Sequence, residues 1–407
     1  MILINERQSL AATAGLASGV KFADCWISPE AQRAAAEVLA SGWVTTGEQA
    51  RAFESEFAEL VQAEHAISVS SCTAALELSL RVLHLPPGSR VLVSALTFCG
   101  AVQAILHAGL TPVLVDVDPD TGMPNEATTR EAAKACDGPE AMMVVHWAGD
   151  PADVPALASA AGVPLDRVVE DAAHALGTEL HHQPVGAGST ACFSFYATKN
   201  LPLGEGGMIT TSDPGRAAWL RKARLHGMSA DAWRRYLPGG GWRYDVAEAG
   251  LKANMTDLAA AIGRAQLRHL ADWQQRRAEI AQRYDERLAC LPDVRLPHRP
   301  DPGVGRHAWH LYPIRILPTA TITRDDLMER LAHHGIGTSV HFIPVHHLGY
   351  FSAAAVRPPN GLPGADMLFP QLLSLPMYPR LTDKQVDVVC DAVAHQLDAA
   401  RATAVTR

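Results

Sequence analysis

A single lysine, Lys199, stands between two apolar runs that are typical of buried β-strands. Residues 191–195 precede it, and residues 208–211 follow it after a glycine-rich turn. Lysine side chains are strongly hydrated and usually lie on the surface, so a lysine held between buried strands calls for a chemical explanation. Formation of a Schiff base with an aldehyde is one such explanation, because a desolvated amine is a better nucleophile.

A candidate phosphate-binding turn lies much earlier in the chain, at residues 70–75, where a strand end runs into a helix start. Free backbone N–H groups and the helix dipole at such a turn attract phosphate, and Thr73 can add a hydroxyl group. The alternative is ordinary capping of the helix by serine or threonine. Taken alone, this feature favours the capping interpretation.

An acidic residue and an aromatic residue complete the pattern. Asp171 follows the apolar run 167–170 and could keep a pyridine nitrogen protonated, with His174 close enough in sequence to reach the ring. Phe98 follows another strand-like run and could stack on a cofactor ring. Taken one at a time, Asp171 is more simply a helix cap and Phe98 a core side chain. Along the chain the phosphate-binding turn comes first, followed by Phe98, Asp171 and Lys199, and this order predicts a site for pyridoxal 5′-phosphate (PLP).

Alternating strands and helices between about residues 66 and 211 must position these groups. Helical patterns such as Thr73–Leu83, with leucines on one face, lie between several strand-like runs. Near-continuous apolar strands that alternate with helices predict an α/β fold with a mostly parallel sheet covered on both faces. Ligands bind beyond the carboxyl ends of such strands. The predicted strands are Ile67–Ser70, Val91–Ser94, Pro112–Val117, Ala141–His146, Arg167–Glu170, Ala191–Phe195 and Met208–Thr211.

The character of the sequence changes after about residue 229. Residues 231–244 are rich in tryptophan, arginine and glycine and predict a surface loop, and residues 256–291 carry one long helical pattern. We expect a large PLP-binding domain at residues 1–260 and a small α+β C-terminal domain at residues 261–407. The small domain is predicted to contain a strand at Leu311–Leu317, a helix opened by Thr323 with Asp326, a strand at Ser339–Ile343 and a helix opened by Thr382 with Gln385.

Composition argues against several classes of protein. A formal net charge of −8 gives no basic surface for nucleic acid. No apolar run is long enough to predict a membrane span, and the N-terminus lacks a secretory signal, so we expect a cytoplasmic protein. The seven cysteines are scattered without a Cys-x-x-Cys pair, which argues against a disulfide framework or a metal cluster. The pairs His333–His334 and His346–His347 are too short for a metal-binding tract, and no metal is expected.

Seven stretches carry a resemblance to a known family: residues 41–47, 70–76, 170–177, 193–207, 225–227, 254–257 and 335–341. With these motifs the chain resembles the DegT/DnrJ/EryC1/StrS family of PLP-dependent sugar aminotransferases. The resemblance extends from about Trp43 to the last helix. It implies an aspartate-aminotransferase-like fold, with a mostly parallel sheet in a large domain and a smaller α+β C-terminal domain.

The resemblance also implies a role for each matching residue around the cofactor ring. Lys199 would bind PLP covalently and, once released from it, would carry the proton that moves to and from the α-carbon. Asp171 would pair with the pyridine nitrogen. His174 would contact the side of the ring that carries the phenolic oxygen, and Phe98 would stack on the ring.

The phosphate of the cofactor would be bound by Thr73, by the N–H of Ala74 and by Ser194. Asn254 resembles an asparagine that reaches this phosphate from a partner subunit. Each active site would then be shared between the two subunits of a homodimer.

Three further residues, His341, Lys252 and His226, resemble positions near a nucleotide-sugar pocket. Lys252 would offer a positive charge to the diphosphate, and an ordinary solvated lysine is an equal alternative. His341 could instead be a core histidine with satisfied hydrogen bonds. Leu251 and Ala253 stand where relatives commonly carry aromatic residues, which leaves the sugar and the nucleotide open.

These expectations predict transfer of an amino group from L-glutamate or glutamine to a keto-sugar nucleotide by a ping-pong mechanism. A cyclitol ketone or another non-nucleotide ketone is an alternative acceptor. A PLP-fold regulator without turnover is a second alternative, although no added DNA-binding domain is evident. The sequence does not identify the nucleotide, the sugar or the carbon that is aminated.

Overall fold

The computed structural model describes residues 19–229 and 244–405, so the predicted loop at residues 231–244 lies, apart from Tyr244, outside the described residues. The strands are β1 (His65–Val69), β2 (Arg90–Ser94), β3 (Thr111–Val115), β4 (Ala141–Val145), β5 (Val168–Asp171), β6 (Glu179–Leu180), β7 (Gln183–Pro184), β8 (Thr190–Ser194), β9 (Gly207–Thr211), β10 (Val294–Arg295), β11 (Gly305–Arg306), β12 (Tyr312–Ile316) and β13 (Leu372–Leu375). The α-helices are Pro29–Ser41, Glu48–Leu60, Cys72–Arg81, Cys99–His107, Glu126–Ala135, Val154–Ala161, Pro214–Ala223, Asp257–Leu267, Leu270–Leu288, Arg324–His333, Phe351–Ala354, Pro363–Leu368 and Asp383–Val405. Among these helices, none combines the length and the apolar character needed to cross a membrane.

A seven-stranded sheet forms the large part of the molecule, in the order β1-β9-β8-β5-β4-β2-β3. Strands β2, β3, β4, β5 and β8 pair in parallel, whereas β9 is antiparallel to both β1 and β8. No helix crosses over between β8 and β9, and a parallel pairing would need such a crossover. The mostly parallel sheet is confirmed, with one reversed strand. Every residue of β4 and β9 is buried, as expected where helices cover both faces.

The predicted long helix at residues 256–291 is in fact two helices, Asp257–Leu267 and Leu270–Leu288. The prediction of one helix was wrong because the apolar pattern continues across the break while the two halves pack on different cores. The first half packs on helices Pro29–Ser41 and Glu48–Leu60 beside the large sheet. Ile280 and Tyr284 of the second half belong to the core of a smaller sheet.

That smaller sheet is antiparallel, in the order β10-β12-β13, and it forms the α+β part of the fold. The predicted strand Ser339–Ile343 is not formed, because Ser339 makes only an isolated bridge to Ser374 of β13. The prediction was wrong because the apolar run of β13, buried at every position, takes the place of the third strand. The helix starts at Thr323 and Thr382 are confirmed by their capping hydrogen bonds. The division into domains at residue 260 stays a prediction.

Except for β9, the strands of the large sheet have their carboxyl ends at one edge of the sheet. Strands β2, β5 and β8 run in the same direction, and β1 shares it because both β1 and β8 are antiparallel to β9. Apolar clusters on the two faces of the sheet hold these strands in place. Side chains that follow β1, β2, β5 and β8 therefore meet at this edge.

Candidate active site

A cavity of about 490 Å³ opens at this edge of the large sheet. Its wall is built from segments that are far apart in the sequence, including the turns that follow β1, β2, β5 and β8. The structure thus brings most of the predicted site residues into one place. Those that line the cavity are Thr73, Phe98, Asp171, His174, Ser194, Lys199 and His341.

Lys199 lies in the connection between β8 and β9. Its backbone N–H donates to the carbonyl oxygen of Tyr196 at 2.9 Å, which fixes a turn at this point. Burial lowers the pKa of the Lys199 amine to about 8, and the negative charge of Asp171 opposes this shift. Part of the amine is therefore unprotonated near neutral pH, as nucleophilic attack on an aldehyde requires.

Asp171 is the last residue of β5, and its side chain is buried. Burial raises the pKa of its carboxyl group, while an N–H donated by Ala173 at 3.1 Å and the positive charge of Lys199 oppose that shift. A buried carboxylate is costly unless it is paired with a cation or with several donors. A protonated ring nitrogen placed against Asp171 would meet this need, so the site fits the pyridine end of PLP.

Aromatic rings form one wall of the cavity. The N–H of Ala148 donates to His174 Nδ1 at 3.2 Å, so the proton of the neutral His174 ring is on Nε2. Burial lowers the pKa of His174 well below its usual range, which keeps the ring neutral. The ring of His310 lies 4.4 Å from that of His174, and the ring of Phe342 lies 5.8 Å from those of His174 and Phe98. A flat ligand can stack against such a wall.

The N-terminus of helix Cys72–Arg81 borders the cavity through Ser71 and Thr73. Gly207 of β9 pairs with β1 on one side and β8 on the other. Because this glycine has no side chain, the helix N-terminus can lie close to β9. A Cβ atom added to Gly207 would lie 2.6 Å from the carbonyl carbon of Ser71. A helix N-terminus beside hydroxyl groups binds phosphate well, so the site also fits the phosphate end of PLP. The N–H of Ala74, however, donates to Ser71 Oγ at 3.1 Å, and Ala74 does not line the cavity.

His341 joins the cavity from the segment between helices Arg324–His333 and Phe351–Ala354. Its Nδ1 lies 3.0 Å from Ser374 Oγ, and its ring stacks on Phe22 with centroids 5.4 Å apart. Burial lowers the pKa of His341 to about 4, and the charge of Lys199 adds to this shift. The ring is therefore neutral and can hydrogen-bond a hydroxyl group without placing another positive charge in the cavity.

Three predicted residues, Lys252, Asn254 and His226, lie outside this cavity. Lys252 Nζ donates to Asn254 Oδ1, and Asn254 Nδ2 donates to Thr46 Oγ1 at 2.6 Å. His226 is exposed, and its backbone N–H donates to Leu251.

Sequence reasoning missed two residues of the aromatic wall, His310 and Phe342. His310 precedes β12 and reaches the cavity only because the small sheet packs beside the turn of Lys199. The available signal was a histidine two residues before the strand Tyr312–Ile316, where a buried polar ring needs a partner. Phe342 was assigned to the strand that does not form.

One group of side chains within the described part of the chain has the composition of a metal site: His346, His347 and Asp366. The Nε2 atoms of the two histidines lie 2.8 and 2.7 Å from the same Asp366 Oδ1. Two hydrogen bonds to one carboxylate oxygen account for this arrangement, which lies away from the cavity.

Known proteins are similar to this chain in sequence and in fold. The family model of the DegT/DnrJ/EryC1/StrS aminotransferases matches residues 26–394. SpsC, a spore coat polysaccharide biosynthesis protein of Bacillus subtilis, is 42% identical over 360 residues, which cover 88% of this chain and 92% of SpsC. The structure is similar to Spr1654 of Streptococcus pneumoniae, with 28% identity, a TM-score of 0.85, and coverage of 95% of this chain and 99% of that one. The sugar aminotransferase CalS13 of Micromonospora echinospora gives 28% identity and a TM-score of 0.80, with coverage of 92% and 99%.

Aminotransferases of this family use PLP, and Spr1654 has been solved in a PLP form and a PMP form. The cavity fits that cofactor at both ends, through Asp171 and through the helix N-terminus after β1. The matched residues include the whole large sheet and the small sheet. The chain belongs to the DegT/DnrJ/EryC1/StrS aminotransferase family.

Proposed function

We propose that this protein is a sugar aminotransferase that transfers an amino group from L-glutamate or glutamine to a keto-sugar nucleotide. The observation that carries the proposal is that Asp171, at the end of β5, and Lys199, in the connection that follows the adjacent strand β8, line one cavity. Support for a sugar as acceptor comes from SpsC, which is named for polysaccharide biosynthesis, and from CalS13, which is a sugar aminotransferase.

The cofactor, when bound, supplies an electron sink that acidifies the α-carbon of the amino donor. We assign the covalent attachment of the cofactor to Lys199, whose Nζ atom, once released from the cofactor, would carry the proton. A pKa of about 8 suits this task, because the amine can release and accept a proton near neutral pH. Asp171 would hold the pyridine nitrogen in its protonated form, and His174 would donate its Nε2–H to the side of the ring that carries oxygen.

The phosphate group would be held by Thr73 and Ser194, both of which line the cavity. A contact to the N–H of Ala74 would require its hydrogen bond to Ser71 Oγ to open. On the substrate side, the neutral ring of His341 would bind a hydroxyl group of the sugar.

A homodimer with shared active sites is part of the proposal. Lys252 and Asn254 lie outside the cavity of their own chain and are exposed or half-buried. In a dimer, Asn254 of the partner subunit would complete the phosphate site, and the partner subunit's Lys252 would offer its charge to the diphosphate. The backbone N–H of His226 donates to Leu251, which is adjacent to Lys252 in the chain, so His226 would also lie near the nucleotide.

The test is an amino-transfer assay with the purified holoenzyme and donors labelled with ¹⁵N. UDP-linked and dTDP-linked keto sugars are supplied as acceptors, and the products are analysed by mass spectrometry. We expect labelled nitrogen in a sugar nucleotide, with release of 2-oxoglutarate when glutamate is the donor. Amination of a cyclitol ketone but of no sugar nucleotide would overturn the proposal. Turnover by Lys199→Ala would overturn the role of the lysine.

A further inference from the structure

The side chain of Asn200, the residue directly after Lys199, is buried, with 4% of its surface exposed. Its Nδ2 donates to the carbonyl oxygens of Ala308 at 3.0 Å and of Leu176 at 3.5 Å. Its Oδ1 lies 3.1 Å from His310 Nδ1. One amide group therefore joins three segments: the turn of Lys199, the turn after Asp171 and the segment that leads into β12.

These contacts also fix the protonation of His310. Because Asn200 Nδ2 donates to two carbonyl groups, its Oδ1 faces His310 and can only accept. The proton of the neutral ring is therefore on His310 Nδ1. Burial and the positive charge of Lys199 lower the pKa of His310 well below its usual range, so the ring stays neutral.

Hydrogen bonds from Arg277 fix the segment that carries His310. The buried guanidinium group of Arg277 donates to the carbonyl oxygens of Trp309 at 3.0 Å, His310 at 3.4 Å and Met377 at 3.1 Å. The backbone at residues 308–310 is thus a fixed support on which the amide of Asn200 rests. The turn of Lys199 has no comparable support from its own exposed side chains, Tyr196 and Thr198.

We propose that Asn200 and His310 are a positioning pair that fixes the backbone of the Lys199 turn and holds its amine at the cavity wall from which it reacts. This inference rests on the proposed role of Lys199 in binding the cofactor. Asn200 acts through the adjacent peptide, and His310 acts through Asn200. Without the pair the turn can shift toward solvent, and water beside the amine stabilises its charged form.

The experiment follows the pH dependence of cofactor attachment to the full-length apoenzyme. PLP is added, and the rate at which the lysine-bound absorbance band appears is measured from pH 6 to pH 11. Because only the neutral amine attacks, this rate reports the pKa of Lys199, and the wild-type midpoint is expected near 8. In Asn200→Ala we expect the midpoint to rise by about one pH unit, with a roughly tenfold lower rate at pH 7.

Variants of His310 separate positioning from loss of packing. His310→Leu removes the donor and leaves Asn200 Oδ1 unpaired, so its midpoint should rise as in Asn200→Ala. His310→Asn retains an N–H donor near the position of Nδ1 and should restore a midpoint close to that of the wild type. His333→Asn, on the surface of another helix, serves as the control.

The possible outcomes distinguish this inference from the proposed function. Midpoints of Asn200→Ala and His310→Leu equal to that of the wild type would overturn the positioning pair and leave the role of Lys199 intact. A wild-type protein that never forms the lysine-bound band would overturn the proposed function itself. If Asn200→Ala does not fold, the comparison of His310→Leu with His310→Asn decides the question.

Discussion

Lys199 and Asp171 depend on each other, because burial drives each group toward its neutral form and the opposite charge holds it back. Burial lowers the pKa of the amine and raises that of the carboxyl group. The pair therefore keeps one partly unprotonated amine and one carboxylate in the same desolvated cavity. Removing either charge changes the chemistry of the other.

Replacement of Asp171 by its uncharged isostere tests this dependence. In Asp171→Asn the ring nitrogen loses its counter-ion, so turnover should fall roughly 100-fold or more while PLP still attaches to Lys199. The pKa of Lys199 should also fall below its wild-type value near 8, since an attractive charge is lost. Steady-state turnover and the pH dependence of PLP attachment measure the two effects. Wild-type turnover in Asp171→Asn, with exposed Asp272→Asn as the control, would contradict the assignment.

At the scale of elements, the cap on helix Glu48–Leu60 comes from a distant residue. Asp257 Oδ1 accepts N–H groups from Gly47 at 2.6 Å and from Ala50 at 3.0 Å, and Oδ2 accepts from Gln49 at 3.2 Å. The capped helix carries two phenylalanines that pack against the aromatic rings of residues 193 and 195. By capping this helix, Asp257 thus indirectly stabilises β8, the strand that precedes Lys199.

Asp257→Asn should lower the free energy of unfolding by about 2 kcal/mol, because an amide cannot accept at both atoms and carries no charge for the helix N-terminus. Urea unfolding followed by circular dichroism measures the change. Gln282 and Glu286 form an exposed hydrogen-bonded pair on helix Leu270–Leu288. The control variant Glu286→Gln should change the free energy of unfolding by less than about 0.5 kcal/mol. Equal stability of Asp257→Asn and the wild type would show that the cap contributes nothing.

The strands of the large sheet could be predicted from the sequence, whereas features that depend on long-range packing could not. The strands of the large sheet were predicted because each is an apolar run covered on both faces. Asp171 could be found because it ends the apolar run of β5, and Lys199 because it lies between the apolar runs of β8 and β9. The break between Leu267 and Leu270 could not be predicted, because it follows from packing on two cores and no local breaker residue marks it. His310 was missed for the same reason, since long-range packing brings it to the site.

At the scale of the whole molecule, buried histidines make stability depend on pH. Burial lowers the pKa values of His174, His307 and His310 well below the usual range and that of His341 to about 4. Below pH 6.5 the unfolded chain binds protons at these rings and the folded chain does not. Acidification therefore favours the unfolded chain, and stability is lost as the pH falls from 6.5 toward the folded pKa values.

Each such histidine should remove about 1.4 kcal/mol of unfolding free energy per pH unit in this window. Urea unfolding at pH 7.0, 6.0 and 5.5 measures the slope. His307 does not line the cavity, and His307→Gln should reduce the slope by the share of one histidine. Stability that stays constant between pH 7.0 and 5.5 would disprove the neutral state of these rings.

Shared active sites predict complementation between two defective subunits. Lys199→Ala lacks the attachment point, and Asn254→Ala lacks the proposed contribution to the partner's phosphate site. Random exchange of subunits should place one intact site in each mixed dimer and restore about one quarter of wild-type activity. Each variant mixed with itself is the control. If native mass spectrometry shows mixed dimers and activity stays absent, the site is not shared.

Gly207 carries a consequence for the evolution of this protein. A Cβ atom there would lie 2.6 to 2.8 Å from main-chain atoms of Ser71 and Cys72, whereas no described atom lies within 4 Å of a Cβ atom added at Gly188. Selection should therefore exclude every side chain at position 207, because any Cβ atom there would clash with the main chain. In a library randomised at both positions and selected for function, only glycine should persist at 207, while many amino acids should survive at 188.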